Sequence, residues 1–151
     1  MPERSLFGQA AGVDKAKKIL NLDLNANPTD RANVTTHPAT QDPSVLGIDI
    51  GGSKLLCGLV DGDGIVTASE RQSLCRNETA ASLTEMIETL AGKLIDSCRA
   101  CPPAAIGIAV PGLVDRHSGM WKHAPYSGID DFPIAEALGR RFRIPVIIEN
   151  D

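Results

Sequence analysis

The segment VLGIDIGGSKLLCGLV, residues Val45–Val60, contains the strongest indications of the fold. Two nearly continuous apolar runs flank a polar segment, Asp49–Lys54, that contains two glycines. Apolar runs of this length are typical of strands that are covered on both faces. The segment DGDG at Asp61–Gly64 is a hairpin signal, and a third strand-like run, IVTASERQ, follows it. We therefore predict an antiparallel meander of three strands, with a carboxylate and two glycines where the first strand ends.

The remaining chain predicts two helices that alternate with strands. Apolar residues recur at spacings of three and four in Asn77–Ser97, where Thr79 or Asn77 can cap the helix and two prolines prevent its continuation. The run AAIGIAV predicts a buried strand, and the residues after it predict a turn and then a loop or small hairpin. Asp131 is placed to cap a second helix, FPIAEALGRRF, before a last strand in IPVIIEND. The predicted order is β-β-β-α-β-α-β, an α/β lobe with a mixed sheet and helices on its faces.

Composition narrows the class of protein. The chain has 151 residues, 42% hydrophobic residues and a formal net charge of -4. Its length suits one domain with a sizeable core. The negative net charge does not indicate binding to nucleic acid or to a membrane surface. No apolar run approaches the ~20 residues of a membrane span. Because the N-terminus also lacks the apolar segment of a signal peptide, we expect a cytoplasmic protein with four reduced cysteines that binds neither nucleic acid nor membrane.

Residues 1–44 differ from the rest of the chain in composition and in apolar pattern. Ser5–Leu22 can form a short amphipathic helix, and the residues after it are rich in Asn, Thr, Pro and Asp without any period. That composition cannot bury enough apolar surface to offset its ordering entropy. We therefore predict a flexible N-terminal extension over 1–44 and a folded lobe over 45–151. A docking helix for a partner is the alternative, whereas a helix-turn-helix DNA reader lacks a second helix pattern and a basic stripe.

The glycine segment after the first strand predicts an anion site. It is not a Walker loop, which needs Gly-Lys-Ser/Thr at the start of a helix. Gly51 and Gly52 permit a positive φ and let backbone N–H groups approach an anion, and Ser53 adds a hydroxyl donor. The carboxylate of Asp49 at the end of a buried strand needs a cation or a water shell. A Mg²⁺-phosphate ligand meets both needs, and a tight hairpin with a capping aspartate is the alternative.

Two other buried strands also end in glycine or acidic residues. They lie in IGIAVPGLVD, residues 106–115, and IPVIIEND, residues 144–151. In open α/β sheets, ligands bind beyond such strand ends. We expect the three ends, at residues 49–53, 110–115 and 149–151, to converge on one cleft.

These three stretches, in this order, resemble the motifs of the ROK family (repressors, open reading frames, kinases) of bacterial sugar kinases. LGIDIGGSK is similar to the family's first phosphate motif, Asp-Ile-Gly-Gly-Thr-Lys, with Ser53 as a departure. IGIAVPGLVD is similar to its Gly-Ile-Gly-x-Pro-Gly-x-Val-Asp stretch, and IEND resembles the start of its Asn-Asp-Ala-Asn segment. The resemblance covers residues 45–151 and implies an actin–hexokinase-type fold, in which two ribonuclease-H-like lobes hold ATP and sugar between them.

The resemblance assigns roles on the phosphate side of the site. Asp49 would organise Mg²⁺ and its waters, so ATP and Mg²⁺ are the implied cofactors. The phosphates would face the segment after it, which comprises Gly51, Gly52, Ser53 and Lys54. Phosphoryl transfer needs little beyond alignment, charge neutralisation and one carboxylate that orients the nucleophile, which agrees with this assignment.

On the sugar side, the resemblance implies that Asp151 is the catalytic base, which takes the proton from the sugar hydroxyl. Asn150 would bind a sugar hydroxyl beside it, and Gly112 would belong to the same sugar-binding surface. The family often has Ala-Pro-Asn near the sugar, whereas this chain has APYSG. Tyr126 or Ser127 therefore replaces the expected amide ligand.

The family's second lobe should follow Asp151, and the adenosine motif and a zinc-binding Cys/His cluster belong to that lobe. We therefore expect no protein zinc site in this chain. Cys98 and Cys101 form one pair without a second pair, which is typical of two free thiols at a helix end.

Two functions of different class follow. One is ATP-dependent phosphorylation of a hexose or N-acylhexosamine, glucokinase-like, with this chain as the N-terminal part of a homo-oligomeric kinase. The other is a non-catalytic truncated lobe or gene fragment that senses a sugar or docks a partner. Because alignment and charge stabilisation supply most of the rate, we expect little activity from these 151 residues alone.

Overall fold

Eight strands and two helices make up the described part of the chain, residues 43–125 and 127–151 of the computed structural model. The predicted Ser5–Leu22 helix, the linker after it and Tyr126 lie outside the described residues. The elements are β1 (Val45–Ile50), β2 (Lys54–Val60), β3 (Val66–Ser73), α1 (Ala80–Ser97), β4 (Ala105–Val110), β5 (Leu113–Asp115), β6 (Met120–His123), β7 (Asp130–Phe132), α2 (Ile134–Phe142) and β8 (Val146–Asn150).

Five strands form a mixed sheet in the order β3-β2-β1-β4-β8. The first three strands are the predicted antiparallel meander, and β4 and β8 run parallel to β1. The register places Ile48 of β1 between Cys57 of β2 and Ile108 of β4. The predicted mixed sheet is therefore confirmed, and the helices α1 and α2 make the crossovers that parallel strands require.

The core lies between this sheet and its helices. Ile48, Ile106 and Ile108 on the central strands are fully buried, as is Ile87 of α1. The apolar stripe of α1 faces the sheet because its buried residues recur every three or four positions. Arg141 Nε of α2 lies 3.1 Å from Glu88 Oε2 of α1, so the two helices adjoin. Among the described residues, no helix has the length and apolar character to cross a membrane.

The N-termini of the two helices confirm one predicted cap and correct the other. Thr79, one of the two predicted caps, accepts a hydrogen bond from the N–H of Ser82 at 3.1 Å and begins α1. The prediction that Asp131 caps the second helix is wrong, because α2 begins at Ile134 with Pro133 at the N-cap position. Asp131 lies in β7 at φ 47, and its carboxylate accepts a hydrogen bond from Lys122 of β6. Because β7 pairs with β6, this aspartate lies in a strand and not at the start of the helix.

A second sheet, in the order β5-β6-β7, forms where we predicted only a loop or small hairpin. Trp121 anchors it: the side chain is buried, and its Nε1–H donates to the carbonyl of Pro111 at 2.9 Å. Gly112 has φ +92, and a Cβ there would lie 2.2 Å from the carbonyl oxygen of His123. The small sheet is thereby fixed against the carboxyl end of β4.

Candidate functional site

Three strand ends meet at one edge of the large sheet. Asp49 of β1 is opposite Ala109 of β4, and Val110 of β4 is opposite Asn150 of β8. The N–H of Asp151 donates to the carbonyl of Val110 at 2.9 Å, so the ladder continues to the last residue. Because neighbouring strands lie about 4.8 Å apart, the ends of β1 and β8 are about 10 Å apart across β4. The structure therefore brings together the three stretches that the sequence pattern selected.

The glycine turn between β1 and β2 is held by backbone hydrogen bonds. The N–H of Gly51 donates to the carbonyl of Lys54 at 2.8 Å. The N–H of Leu74 donates to the carbonyl of Ser53 at 2.9 Å and fastens the turn to the end of β3. Gly52 and Ser53 are exposed at the tip. The turn is therefore a fixed, exposed stretch of backbone at the sheet edge.

The backbone of this turn does not use the freedom that its glycines permit. In the described part of the chain the glycines with a positive φ are Gly64, Gly112 and Gly119, and neither Gly51 nor Gly52 is among them. A Cβ at Gly51 would meet its nearest neighbour at 3.5 Å, which is an ordinary contact. The chain itself does not require a glycine at position 51, and the lack of a side chain leaves the backbone open to a ligand.

Asp49 and Lys54 flank the glycine turn in different environments. Asp49 is half-buried in β1, next to Leu56 of β2 in the antiparallel register, whereas Lys54 is exposed at the start of β2. Each of the two charged residues has an interaction partner. A half-buried carboxylate beside exposed backbone suits a bound cation with its waters.

A groove at the loop after β4 contains two of the predicted sugar residues. Gly112 and Asn150 both line it, together with Asp115. The carboxylate of Asp115 accepts hydrogen bonds from the hydroxyl of Ser118 at 2.7 Å and from the N–H of His117 at 3.0 Å. These hydrogen bonds hold the pKa of Asp115 below its ordinary value. Asp115 therefore stays ionised, and its carboxylate stabilises its own turn.

Ser127 lies in a different place from Asn150. It lines a small cavity with Gly52, Pro111 and Trp121, on the side of the glycine turn. Its hydroxyl oxygen is buried and has no hydrogen-bond partner among residues 43–125 and 127–151. Asn150 is not among the residues that line this cavity. The two predicted sugar ligands thus line different cavities.

Sequence reasoning missed Arg116. Its Nη2 lies 2.7 Å from Glu149 Oε2 and donates to Asn150 Oδ1 at 3.4 Å. The pairing joins two turns that are more than thirty positions apart in the chain, so local patterns carry no signal for it. The only available indication was the expected meeting of the strand ends at residues 110–115 and 149–151.

The cysteines and histidines form no cluster in the described ranges. No group of three or more His, Cys, Asp or Glu residues there is arranged to hold a metal ion. Cys98 and Cys101 are free thiols at the end of α1, where the N–H of Cys101 donates to the carbonyl of Cys98. His123 Nδ1 lies 2.7 Å from Asp130 Oδ1 across β6 and β7.

A known structure shares this fold. The ROK family glucokinase from Streptomyces griseus, determined in complex with glucose and AMPPNP, superposes with a TM-score of 0.61 at 24% identity. The match covers 71% of this chain and 33% of that one. The predicted lobe of the actin–hexokinase type is therefore confirmed.

Two characterised relatives belong to different functional classes. A β-glucoside kinase from Klebsiella pneumoniae is 32% identical over 108 residues, 71% of this chain and 34% of its own length. The DNA-binding transcriptional dual regulator NagC from Escherichia coli is 25% identical over 135 residues, 88% of this chain and 33% of its own length. The chain thus spans about a third of the length of either relative. Because one of them is a DNA-binding regulator, the expectation of no nucleic-acid partner is not confirmed.

The profile of the ROK family matches residues 45–151, which include every described strand and helix. The match contains the glycine turn, the loop after β4 and the end of β8. The chain belongs to the ROK family.

Proposed function

We propose that the lobe at residues 45–151 takes part in the ATP-dependent phosphorylation of a sugar hydroxyl, with a hexose or N-acylhexosamine as substrate. The parallel register of β1, β4 and β8 carries the proposal, because it sets Asp49, Asn150 and Asp151 at one sheet edge. The 32% identity to a β-glucoside kinase supports the same class of reaction.

In this proposal the glycine turn receives the phosphates. The N–H of Gly51 is already bonded to the carbonyl of Lys54, so the N–H groups of Gly52 and Ser53 at the exposed tip are the proposed donors. The hydroxyl of Ser53 would supply a further donor, as the family's threonine does in the motif that this segment resembles. Backbone donors in such a turn form a concavity that suits an anion.

Asp49 would hold Mg²⁺ through its waters. A magnesium ion is commonly bound by one or two carboxylates and keeps several waters, which fits a single half-buried carboxylate beside the turn. When bound, the ion would neutralise the charge that develops on the phosphate oxygens.

Asp151 would act as the base. The hydrogen bond from its N–H to the carbonyl of Val110 fixes its backbone at the sheet edge, and its side chain is exposed there. A carboxylate in that place can accept the proton of a sugar hydroxyl as the hydroxyl attacks the γ-phosphate. Asn150 beside it would hold the sugar hydroxyl in line.

The test is Asp151→Asn in the longest gene product that contains these residues, assayed for sugar-dependent ADP release with Mg-ATP. We expect kcat to fall by about 10²–10⁴ while the sugar affinity stays within a few-fold, because the proton is transferred in the transition state. Asp96→Asn, at an exposed aspartate of α1 that pairs with Arg99 just beyond the helix, is the matched control and should keep wild-type turnover. Equal turnover of Asp151→Asn and wild type would remove Asp151 as the base.

A sugar-responsive regulator is the second candidate. The alignment with NagC covers 88% of this chain, against 71% for the kinase, so it extends to residues before Val45. Fluorescence anisotropy of labelled DNA from upstream of the gene would separate the candidates. A regulator should bind that DNA with a sugar-dependent affinity, and a kinase should not bind it.

A further inference from the structure

We propose that Arg116 is a positioning residue that fixes the side-chain amide of Asn150, so that its NH₂ group faces the ligand. The orientation of the amide follows from contacts within the chain. The identity of the ligand as a sugar hydroxyl depends on the proposed function.

Arg116 extends from the small sheet to the end of the large one. It follows β5 and lies in the turn that Asp115 closes by accepting hydrogen bonds from His117 and Ser118. From there its guanidinium contacts Glu149 Oε2 at 2.7 Å and Asn150 Oδ1 at 3.4 Å. One cation therefore contacts two consecutive residues of β8.

This geometry places the guanidinium at the end of β8. Consecutive side chains of a strand point to opposite faces of the sheet, so a group that contacts both Glu149 and Asn150 lies beyond the strand end or beside its outer edge. In the sheet order of the described residues β8 is an edge strand, which leaves room for the guanidinium beside it. Both contacts are made by the same guanidinium nitrogen, Nη2, whose two hydrogens can serve the two partners at once.

The contact decides which half of the amide remains for a ligand. An asparagine side chain has one acceptor oxygen and an NH₂ group with two donors. With Oδ1 accepting from the guanidinium, the NH₂ group remains for the groove that Asn150 shares with Gly112 and Asp115. A ligand there must offer an acceptor, and the oxygen of a sugar hydroxyl offers one.

A stabilising ion pair is the competing explanation for Arg116. Its side chain is 62% exposed and that of Glu149 is 25% exposed. Exposed ion pairs of this kind add little to stability because water screens them. Loss of Arg116 should therefore leave the unfolding midpoint nearly unchanged and should appear in the mobility of Asn150 and in ligand affinity.

The first experiment measures the side-chain amide of Asn150 by ¹⁵N NMR relaxation in the 151-residue chain. In the wild type we expect a rigid amide, with an order parameter above about 0.8, and in Arg116→Met a value below about 0.6. Arg116→Lys should lie between them, because the flexible lysine ammonium can keep the ion pair with Glu149 but lacks the planar geometry that fixes the direction of the contact with Asn150. Arg140→Met is the control, since Arg140 pairs with Glu136 within α2. An equally rigid amide in Arg116→Met would overturn the proposal.

The second experiment titrates glucose into the longest gene product that contains these residues and measures turnover alongside. Arg116→Met should raise the KM for glucose at least tenfold and change kcat less than threefold. Asn150→Asp keeps an acceptor for Arg116 but removes the NH₂ donors. It should therefore weaken glucose binding as strongly as Arg116→Met does, while the ion pair between Arg116 and Glu149 remains. Equal KM values in wild type and Arg116→Met would overturn the proposal and leave the kinase assignment standing. A rigid Asn150 amide in a protein that does not bind or phosphorylate glucose would support the positioning role and count against the proposed function.

Discussion

The large sheet and the small sheet are encoded in different ways. β1, β2 and β4 of the large sheet are runs of six or seven residues, almost all of them buried. β5, β6 and β7 have only three or four residues each, and only one of these residues is fully buried. Long apolar runs specify strands through burial, which the sequence displays directly. Short exposed strands depend on a few anchoring contacts that become visible only in three dimensions.

The anchors of the small sheet are specific fits at single residues. Trp121 is bonded to the carbonyl of Pro111, and Gly112 packs against the backbone of His123. Gly119, with φ +72, packs against the side-chain methyl of Ala135 at the start of α2. A single substitution at one of these contacts should therefore destabilise the small sheet far more than the small buried area of this sheet implies.

The largest expected effect is that of Gly112→Ala. The substitution places a methyl group 2.2 Å from the carbonyl oxygen of His123 and 2.7 Å from Cδ of Pro125, at a φ of +92 that alanine avoids. Since the first of these atoms belongs to the backbone, it cannot move cheaply. We expect the free energy of unfolding to fall by about 3 kcal/mol in urea titrations followed by circular dichroism.

Gly92→Ala is the matched control for that change. Gly92 lies within α1, and a Cβ there would meet nothing within 4 Å. Alanine is the better helix former, so the free energy of unfolding should rise by up to about 1 kcal/mol. If Gly112→Ala proved as stable as the wild type, the small sheet would not be anchored through this close contact.

The same contrast explains what could and could not be predicted. The long strands were predicted from continuous apolar runs, and both helices were predicted from segments that suit a helix with a cap at its start. The backbone of the glycine turn could not be predicted, because a sequence shows that glycine permits a positive φ but not whether the turn adopts one. The contact of Arg116 with Asn150 could not be predicted, because it joins distant turns through side chains whose orientation no local pattern fixes.

A smaller effect tests the interior of the large sheet. Cys57 of β2 is fully buried, and burial raises the pKa of its thiol from 9.0 to about 12, with a further contribution from the charge of Glu70. A folded-state pKa above the unfolded one gives stability that is fully present below pH 9 and is lost as the pH rises from 9 to 12. By pH 10 the wild type should lose on the order of 1 kcal/mol relative to pH 8 through this thiol.

The measurement compares urea midpoints at pH 8 and pH 10 in wild type, Cys57→Ala and Cys75→Ala. Cys57→Ala lacks the thiol, so its loss of stability between the two pH values should be smaller by that amount. Cys75 is exposed, and Cys75→Ala should follow the wild type. Identical pH dependence in all three proteins would mean that the interior of the large sheet does not hold this thiol neutral.

The smallest effect separates two explanations of Asp131, the residue that we predicted as a helix cap. Threonine is a good N-cap, so Asp131→Thr would be nearly neutral if Asp131 capped α2. At φ 47 in β7, however, a β-branched side chain is strongly disfavoured, whereas aspartate tolerates this region. We therefore expect Asp131→Thr to lower the free energy of unfolding by about 1 kcal/mol. Asp131→Gly should stay within about 0.5 kcal/mol of wild type, because glycine adopts this backbone freely. A neutral Asp131→Thr, measured by urea denaturation of both variants, would return Asp131 to the helix and remove β7 from the small sheet.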